Sequence, residues 1–245
     1  MKPTPSTASR LKLEPIETKL SFRDQAYAAL KRAIAEADIY SHPEEIRLDE
    51  RPISEALGVS RTPVREAMTL LERDGFLRTE PRRGIFIVRK SKRQIIEMIE
   101  TWAALESMAV RLVAERASDA EIATLHRIFD EFVEEGPAAR VDKYSDANIE
   151  FHHAIVRLSG SELIERMTGN LFLHVRAIRR ATIAQDCRAE RSLREHMDII
   201  AALERRDTAA AERLSLTHTL GLANYVEKHC GFLDRAAEHS QQHPS

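Results

Sequence analysis

The sequence predicts a mainly α-helical protein, with an N-terminal winged helix-turn-helix followed by a C-terminal all-α six-helix bundle. Three observations support this fold class. Two short helical segments meet at Gly58 and are followed, after Gly75, by two strand-like segments joined by a basic turn. From Ser91 onward, apolar residues recur at spacings of three and four, which is the helical period. A length of 245 residues is enough for two compact domains.

These patterns also predict the boundaries along the chain. Residues 1–17 are rich in Pro, Ser and Thr and predict a disordered tail. The winged helix-turn-helix is expected over 18–90 and the helical domain over 91–232. The polar residues 233–245 predict a flexible C-terminal tail.

In the N-terminal domain, end signals define each element. A first helix is predicted over 22–37, and a short helix begins at Asp49 and ends at Leu57, with Gly58 as its C-terminal stop. Ser60 is expected to cap the next helix, which runs to about residue 73, because its hydroxyl can accept a backbone N–H. Strands are predicted over 76–80 and 85–89, with a turn between them.

The helical domain divides at polar or Gly-Pro breaks. The six predicted helices cover residues 92–116, 119–134, 139–159, 161–185, 189–205 and 207–229.

Charge is distributed unevenly between the two predicted domains. Residues 1–90 contain 17 Lys and Arg against 14 Asp and Glu, whereas the remainder contains 20 against 25. Within 60–93 there are 10 basic and 4 acidic residues. A basic N-terminal module joined to an acidic one is typical of a DNA-binding domain attached to a domain with another task.

Several function classes are disfavoured by what the sequence lacks. Cys187 and Cys230 have no disulfide or metal-binding spacing, and the N-terminus has no apolar core of a signal peptide. No apolar run approaches the roughly 18 residues needed to span a bilayer. We therefore expect a cytoplasmic protein with no membrane partner.

The second helix of the helix-turn-helix carries the candidate DNA-reading residues. Arg61 and Arg65 are four residues apart and share a helix face, and arginine reads guanine in the major groove through a bidentate fork. Ser60 and Thr62 lie at the helix N-terminus, which favours phosphate oxygens. The alternative is that these arginines are only solvated surface charge. The turn, the caps and the basic Arg82-Arg83-Gly84 tip together favour DNA binding.

The run Leu57-Gly-Val-Ser-Arg-Thr-Pro-Val-Arg-Glu-Ala, followed by Leu71-Glu-Arg-Asp-Gly-Phe-Leu and Arg83-Gly84, resembles the GntR family of bacterial transcription regulators. The helical remainder resembles the effector-sensing and dimerisation domain of its FadR branch, the FCD domain. With no extra helix after the wing, the six-helix, vanillate-regulator-like subgroup is favoured. The resemblance implies a homodimer that reads an inverted repeat in operator DNA. It places Arg51, Arg61, Arg65 and Gly84 at DNA-contacting positions.

Three histidines interrupt apolar stripes on different predicted helices: His152, His196 and His218. Imidazole nitrogens bind borderline divalent metals, but a histidine on an apolar face is often only a core residue. The resemblance favours a metal, because metal-binding members carry Asp or Asn four residues before Phe-His, then Glu-His, then a later His. Asn148 takes the first position here and is a weaker ligand than Asp. Zn²⁺ is the default, with Ni²⁺, Mn²⁺ and Fe²⁺ left open.

A cationic metal in a helical bundle favours a small organic acid as effector. The branch often places an Arg three residues before the Leu-Glu pair, and Trp102 stands there in this chain. Trp102 either stacks on an aromatic or larger ligand or is a core residue. Arg176, Arg179 and Arg180 are alternative anion partners; Arg176 and Arg180 share a helix face, and Arg179 lies to one side. His174 is a further candidate for the cavity lining.

We therefore expect a DNA-binding transcription regulator, specifically a repressor, that is controlled by an effector. Three other interpretations remain open. One is an architectural DNA-binding protein whose helical bundle is purely structural. Another is a direct metal sensor. The third is a metal-dependent enzyme with Glu195 as base, against which the chain lacks an HExxH motif or a paired acid and base.

Overall fold

A computed structural model describes residues 20–37, 39–40, 45–183, 185 and 187–234. The predicted tail over 1–17 and most of the predicted tail over 233–245 lie outside these residues. The chain begins with a winged helix-turn-helix and continues as a helical domain, which confirms the predicted fold class. None of the described helices combines the length and apolar character that a membrane span requires.

The winged domain contains three helices and a three-stranded sheet. Its elements are α1 (Phe22–Glu36), β1 (Arg47–Leu48), α2 (Glu50–Leu57), α3 (Arg61–Arg73), β2 (Leu77–Glu80) and β3 (Gly84–Ile87). The antiparallel sheet has the order β1-β3-β2. Strand β1 was not predicted, because two residues are too short to show an alternating pattern.

The predicted helix ends are present, but their capping differs from expectation. Gly58 adopts the left-handed conformation with φ 65° at the end of α2, which glycine reaches without strain. Asp49 and Ser60 occupy the N-cap positions of α2 and α3, yet neither side chain makes the capping hydrogen bond. Asp49 instead pairs with Arg47 at 3.2 Å. The expectation that the Ser60 hydroxyl accepts a helix N–H was therefore wrong.

The helical domain is built around α4, which packs against α8 and α10. Its helices are α4 (Lys92–Arg116), α5 (Asp119–Arg127), α6 (Asp130–Glu135), α7 (Val141–Leu158), α8 (Glu162–Thr182), α9 (Arg188–Glu204) and α10 (Thr208–His229), with a short 3₁₀ turn over Pro137–Arg140. Strong caps begin α4 and α5, where Ser91 and Ser118 each form a reciprocal capping box.

The helix predicted over 119–134 is broken into α5 and α6. At the break, Phe129 leaves the helical conformation with φ −114° and ψ 2°. Its ring is fully buried and stacks on His196 with 5.0 Å between centroids. The burial of one large aromatic ring is consistent with the interruption of an otherwise helical pattern.

Helix α8 of the helical domain packs directly against the winged domain. It packs against α1, and the buried His174 of α8 contacts Tyr40, whose hydroxyl lies 3.1 Å from its Nδ1. The His174 ring also stacks on Phe76, and Lys31 donates to Asn170 at 2.8 Å. The winged domain therefore rests on a helix of the helical domain through specific side-chain contacts.

Candidate metal centre and DNA-contacting surface

Three histidines meet in the core of the helical domain. His152 comes from α7, His196 from α9 and His218 from α10, and one nitrogen of each lies within 4.8 Å of the other two. The Nε2 atoms of His196 and His218 are 3.1 Å apart. The structure thus brings together the three histidines that the sequence singled out, and we call them the histidine cluster.

The outer nitrogen of each ring has its own partner. His152 Nδ1 donates to the carboxylate of Glu106, and His218 Nδ1 donates to Glu195 at 2.6 Å. His196 Nδ1 lies 3.4 Å from the Tyr144 hydroxyl. Such outer hydrogen bonds fix the tautomer and the ring orientation, as they do around metal-bound histidines.

Burial keeps these rings neutral. It lowers the pKa of His152 and His196 well below the usual histidine value, with the nearby positive charge of Arg179 acting in the same direction. The pKa of His218 is also lowered by burial, although its bond to Glu195 opposes the shift. Neutral imidazole is the form that binds a metal.

The arrangement fits a divalent cation. With both Nδ1 protons on carboxylates, the Nε2 atoms of His152 and His218 carry lone pairs that point inward. His152 Nε2 is buried and has no hydrogen-bond partner among the described residues. Two nitrogens at about 2.0–2.1 Å from one Zn²⁺ lie about 3.3 Å apart, close to the spacing of His196 and His218. One nitrogen of the third ring, His152, lies within 4.8 Å of these two.

Glu106 was missed as a functional residue by the sequence analysis. It is 1% exposed, accepts from Thr219 Oγ1 at 2.7 Å and binds His152 with its other oxygen. Burial raises the pKa of its carboxyl to about 7. The available signal was an acidic residue on the apolar stripe of α4, since carboxylates are rarely buried without a partner.

Asn148 lies beside the cluster, one helical turn before His152 on α7. It is fully buried, and its Oδ1 accepts from Arg179 Nη1 at 3.1 Å. Arg179 also lies over the Trp102 ring at 4.8 Å, and Trp102 packs edge-on against His152 at 4.8 Å. The amide oxygen that the sequence offers to a metal is therefore shared with a buried arginine.

The expected anion partners on α8 require correction. Arg180 is exposed, and the Arg176 side chain is one-quarter exposed and lies 3.8 Å from Asp146. Arg179, which sequence reasoning set to one side, is 4% exposed and faces the cluster. The relative rotation of α8 against α7 and α4 decides which face is inside, and helical spacing alone does not define that rotation.

His174 also lies elsewhere than expected. Its ring contacts Tyr40 and Phe76 of the winged domain rather than the histidine cluster. Burial lowers its pKa to about 3. His174 is a residue of the domain junction, and the expectation that it lines the effector cavity was wrong.

A cavity of about 380 Å³ opens beside the cluster, between the end of α8 and helices α9 and α10. His218 and Arg179 form part of its wall, as do Arg188 and Tyr225. Trp102 is fully buried and is not among the residues that line it. A pocket of this volume is in the range of small-molecule sites.

On the winged domain, α3 exposes the predicted recognition face. Arg61 and Arg65 point to the same side, and Ser60 and Thr62 are exposed at the helix start. Glu50 of α2 binds both arginines. Arg65 donates to its two oxygens through Nε and Nη2, each at 2.8 Å, and Arg61 approaches at 3.4 Å. The Arg65 hydrogen bonds lower the pKa of Glu50, so this carboxylate stays charged.

The remaining DNA candidates surround this face. Arg51 is largely exposed and pairs with Glu55 at 3.0 Å. At the wing, Arg83 pairs with Glu80 and lies over the Phe86 ring at 5.5 Å. Gly84 has φ 120°, and a Cβ there would meet Arg47 Nε at 2.8 Å, so the tip tolerates only glycine without strain.

Two family profiles match the chain. The profile described as bacterial regulatory proteins, gntR family, covers residues 22–87, and that of the FCD domain covers residues 97–221. The chain belongs to the GntR family of bacterial transcription regulators.

Individual GntR relatives agree. The HTH-type transcriptional regulator YdhC of Bacillus subtilis (strain 168) is 30% identical over 70% of this chain and 77% of its own length. The HTH-type transcriptional repressor RspR of Escherichia coli (strain K12) is 25% identical over 87% of this chain and 94% of its own. These relatives are regulators rather than enzymes, so the prediction that the chain is a regulator and not an enzyme is confirmed.

Solved structures share the fold. E. coli McbR/YncC has a TM-score of 0.71 at 22% identity, and the match covers 87% of this chain and 100% of that one. A putative GntR regulator from Rhodococcus sp. RHA1 has a TM-score of 0.67 at 24% identity, covering 84% and 98%. At these identities the likeness concerns the fold alone. Assignment to the vanillate-regulator-like subgroup stays a prediction.

Proposed function

We propose that this GntR regulator is a homodimeric repressor whose affinity for operator DNA is controlled by a small organic acid bound next to a metal held by the histidine cluster. The observation that carries the proposal is the cluster itself. It consists of three neutral, buried imidazoles, each with its outer nitrogen engaged, beside a cavity that contains a buried arginine. The relative named as a repressor supports the sign of regulation.

The metal would be held by the Nε2 atoms of His152, His196 and His218, with Asn148 Oδ1 as a fourth ligand. Zn²⁺ fits a site rich in imidazole nitrogens. When bound, the ion supplies a concentrated positive charge that attracts a carboxylate. Glu106 and Glu195 hold the histidine rings in their binding tautomers, and Arg179 orients Asn148.

DNA would be bound by α3 and the wing. Arg61 and Arg65 enter the major groove, Arg51 and the amides near Ser60 and Thr62 contact phosphates, and Gly84 with Arg83 approaches the minor groove. Glu50 binds both arginines in the free protein, and DNA would replace it as their partner. A two-fold dimer would place two such helices in successive major grooves, about 34 Å apart, and hence match an inverted repeat.

Helix α8 would carry the signal between the two sites. Arg179 on this helix lines the effector cavity, and His174, five residues earlier, contacts Tyr40 and Phe76 of the winged domain. An effector that binds one position of α8 more tightly than another would change the placement of the winged domain. Only this differential affinity can alter DNA binding.

The test combines metal content with DNA binding on the full chain. The purified protein should contain about one metal per chain, and a His196→Ala, His218→Ala double variant should contain less than one-tenth of that. A His126→Ala variant is the matched control, because His126 is a surface histidine bonded to Glu204. Equal metal content in all three proteins would contradict the metal site.

A second candidate function is direct metal sensing. It is favoured by Asn148, a neutral ligand already bonded to Arg179, because such a ligand set retains metal less tightly than one with a carboxylate. In that case, adding or chelating Zn²⁺ alone would change operator affinity at least tenfold in a gel-shift titration. A change below twofold would leave the ion as a permanent cofactor.

A further inference from the structure

The cavity beside the histidine cluster is strongly cationic. Among the described residues, the charged groups on its wall are Arg179, Arg188, Arg191, Lys228 and a single carboxylate, that of Glu195. Glu195 is already bound to His218. The described wall therefore carries a surplus of three positive charges before any metal is counted, and a ligand with one carboxylate would neutralise one of them.

Arg179 belongs to this wall and has two donors without a hydrogen-bond partner among the described residues. Its Nη1 donates to Asn148, while Nε and Nη2 are buried and have no hydrogen-bond partner among the described residues. Nε and Nη2 form the side edge of the guanidinium group, which grips a carboxylate with two parallel hydrogen bonds. A buried, half-satisfied guanidinium is costly unless a ligand completes it.

Arg188 is a second incomplete arginine on the same wall. Its guanidinium lies over the Tyr225 ring at 4.0 Å, and its Nε and Nη1 are buried without a partner among the described residues. The Tyr225 hydroxyl donates to Gln185 at 2.7 Å, which holds the ring below the arginine. The position of the Arg188 charge is thus set by the protein before any ligand arrives.

The two arginines also repel each other. Burial lowers the pKa of Arg179 to about 10; the negative charge of Glu106 opposes this shift, and the positive charge of Arg188 adds to it. A buried and a half-buried guanidinium group of like charge, each with donors that lack a partner among the described residues, are stabilised by an anion that contacts both.

We propose that the cavity binds a small acid with two anionic groups, a dicarboxylate or a phosphorylated acid (below called a dianion for its two anionic groups), with one group on the Nε–Nη2 edge of Arg179 beside the metal centre and the second on Arg188. The proposal rests on the proposed function, because it specifies the ligand class of the same sensing site. It assigns selectivity for doubly charged acids to Arg188 at the start of α9. Arg179 binds the first anionic group, which monoanionic acids also carry.

The experiment uses Zn²⁺-loaded full-length protein and matched ligand pairs in calorimetric titrations. Succinate is compared with succinamate, which has the same length but one charge, and phosphoglycolate with glycolate. Each dianion should bind at least tenfold more tightly than its monoanionic counterpart. The first pair tests carboxylate and the second phosphate as the source of the extra charge.

Variants then separate the two arginines. Arg188→Gln should remove the preference for the dianions while changing monoanion affinity less than twofold, and Arg188→Lys should restore part of the preference. Arg179→Gln should weaken both members of each pair. Arg194→Gln, on the exposed face of α9, is the control and should change neither.

Two results would overturn the inference. One is that no dianion binds more tightly than its monoanionic partner. The other is that folded Arg188→Gln loses affinity equally for both members of a pair. Metal content and ligand-free operator binding of the Arg188 variants are measured in parallel, and both stay at wild-type levels if only this inference fails. If the proposed function itself were wrong, the metal content of the protein would not depend on the cluster histidines.

Discussion

The histidine cluster and the DNA-contacting face of α3 both concentrate polar groups, but in opposite physical environments. In the cluster, His152 and His196 are at most 1% exposed, and so is Glu106, the carboxylate partner of His152. On α3, the Arg61 and Arg65 side chains are 62% and 61% exposed. The first set is held by burial and the second by ion pairs with one carboxylate.

This difference indicates whether a substitution should change binding, stability or both. A buried polar group stabilises the fold only while its partner is present, so removing one member affects both binding and stability. An exposed ion pair contributes at most about 1 kcal/mol to stability, so the same kind of change on α3 should alter DNA affinity alone. Three predictions sharpen or break this contrast.

The largest effect is expected for Glu106→Gln. The amide keeps the shape of the side chain but weakens the acceptor for His152 Nδ1, so Zn²⁺ affinity should fall about 10–100-fold. Competition with a chromogenic chelator measures this value, and Glu204→Gln, at a surface histidine pair, is the control. Unchanged Zn²⁺ affinity would mean that the outer bond does not support the metal centre.

An effect of similar size, but with a lower minimum, is expected for Arg65→Ala. Loss of a bidentate base contact should cost about 1–3 kcal/mol of operator affinity, or roughly 5- to 150-fold, while the melting temperature stays within about 2 °C of wild type. Gel-shift and thermal-unfolding measurements test both parts. Arg111→Ala on α4, in a comparable surface pair with Glu115, should change neither. A large loss of stability in Arg65→Ala would break the contrast between the two regions.

The smallest effect concerns the domain junction. Because burial lowers the His174 pKa to about 3, from about 6.5 in the unfolded chain, folding excludes a proton. Its contribution to stability is complete above about pH 6.5 and is lost as the pH falls towards 3. His174→Asn should flatten this loss between pH 6.5 and 5.5 by at most about 1.4 kcal/mol per pH unit.

Urea unfolding of chelator-treated wild type and variant at each pH measures that slope. The histidine cluster contributes a loss of the same sign in both proteins, so the difference between them isolates His174. Parallel slopes in wild type and variant would show that His174 is not a neutral, buried residue of the junction.

Much of the fold was predictable from local signals. Gly58, Ser91 and Ser118 mark helix ends through backbone conformation and capping, which depend on neighbours in sequence. The interruption at Phe129 was not predictable, because it coincides with packing against His196 from a helix about 70 residues later. Strand β1 depends in the same way on its pairing with β3.

The residues of the candidate site likewise separate into those predictable from sequence and those that depend on tertiary packing. The three histidines were recognisable because each interrupts an apolar stripe, and motif order placed them together. The roles of Glu106, Arg179 and Arg188 depend on which faces of α4, α8 and α9 turn inward. Spacing put Arg176 and Arg180 on one face without showing that Arg179, between them, is the buried one.

By itself, the sequence determined that this protein is a winged-helix DNA-binding regulator with a helical domain that contains a histidine set, because turns, caps and periodicity act over a few residues. Only the tertiary structure decided which charges are buried, which arginines lack partners and which side chains join the two domains. Those properties depend on the rotation and contact of helices far apart in the chain, where burial and pairing set the energy of every polar group.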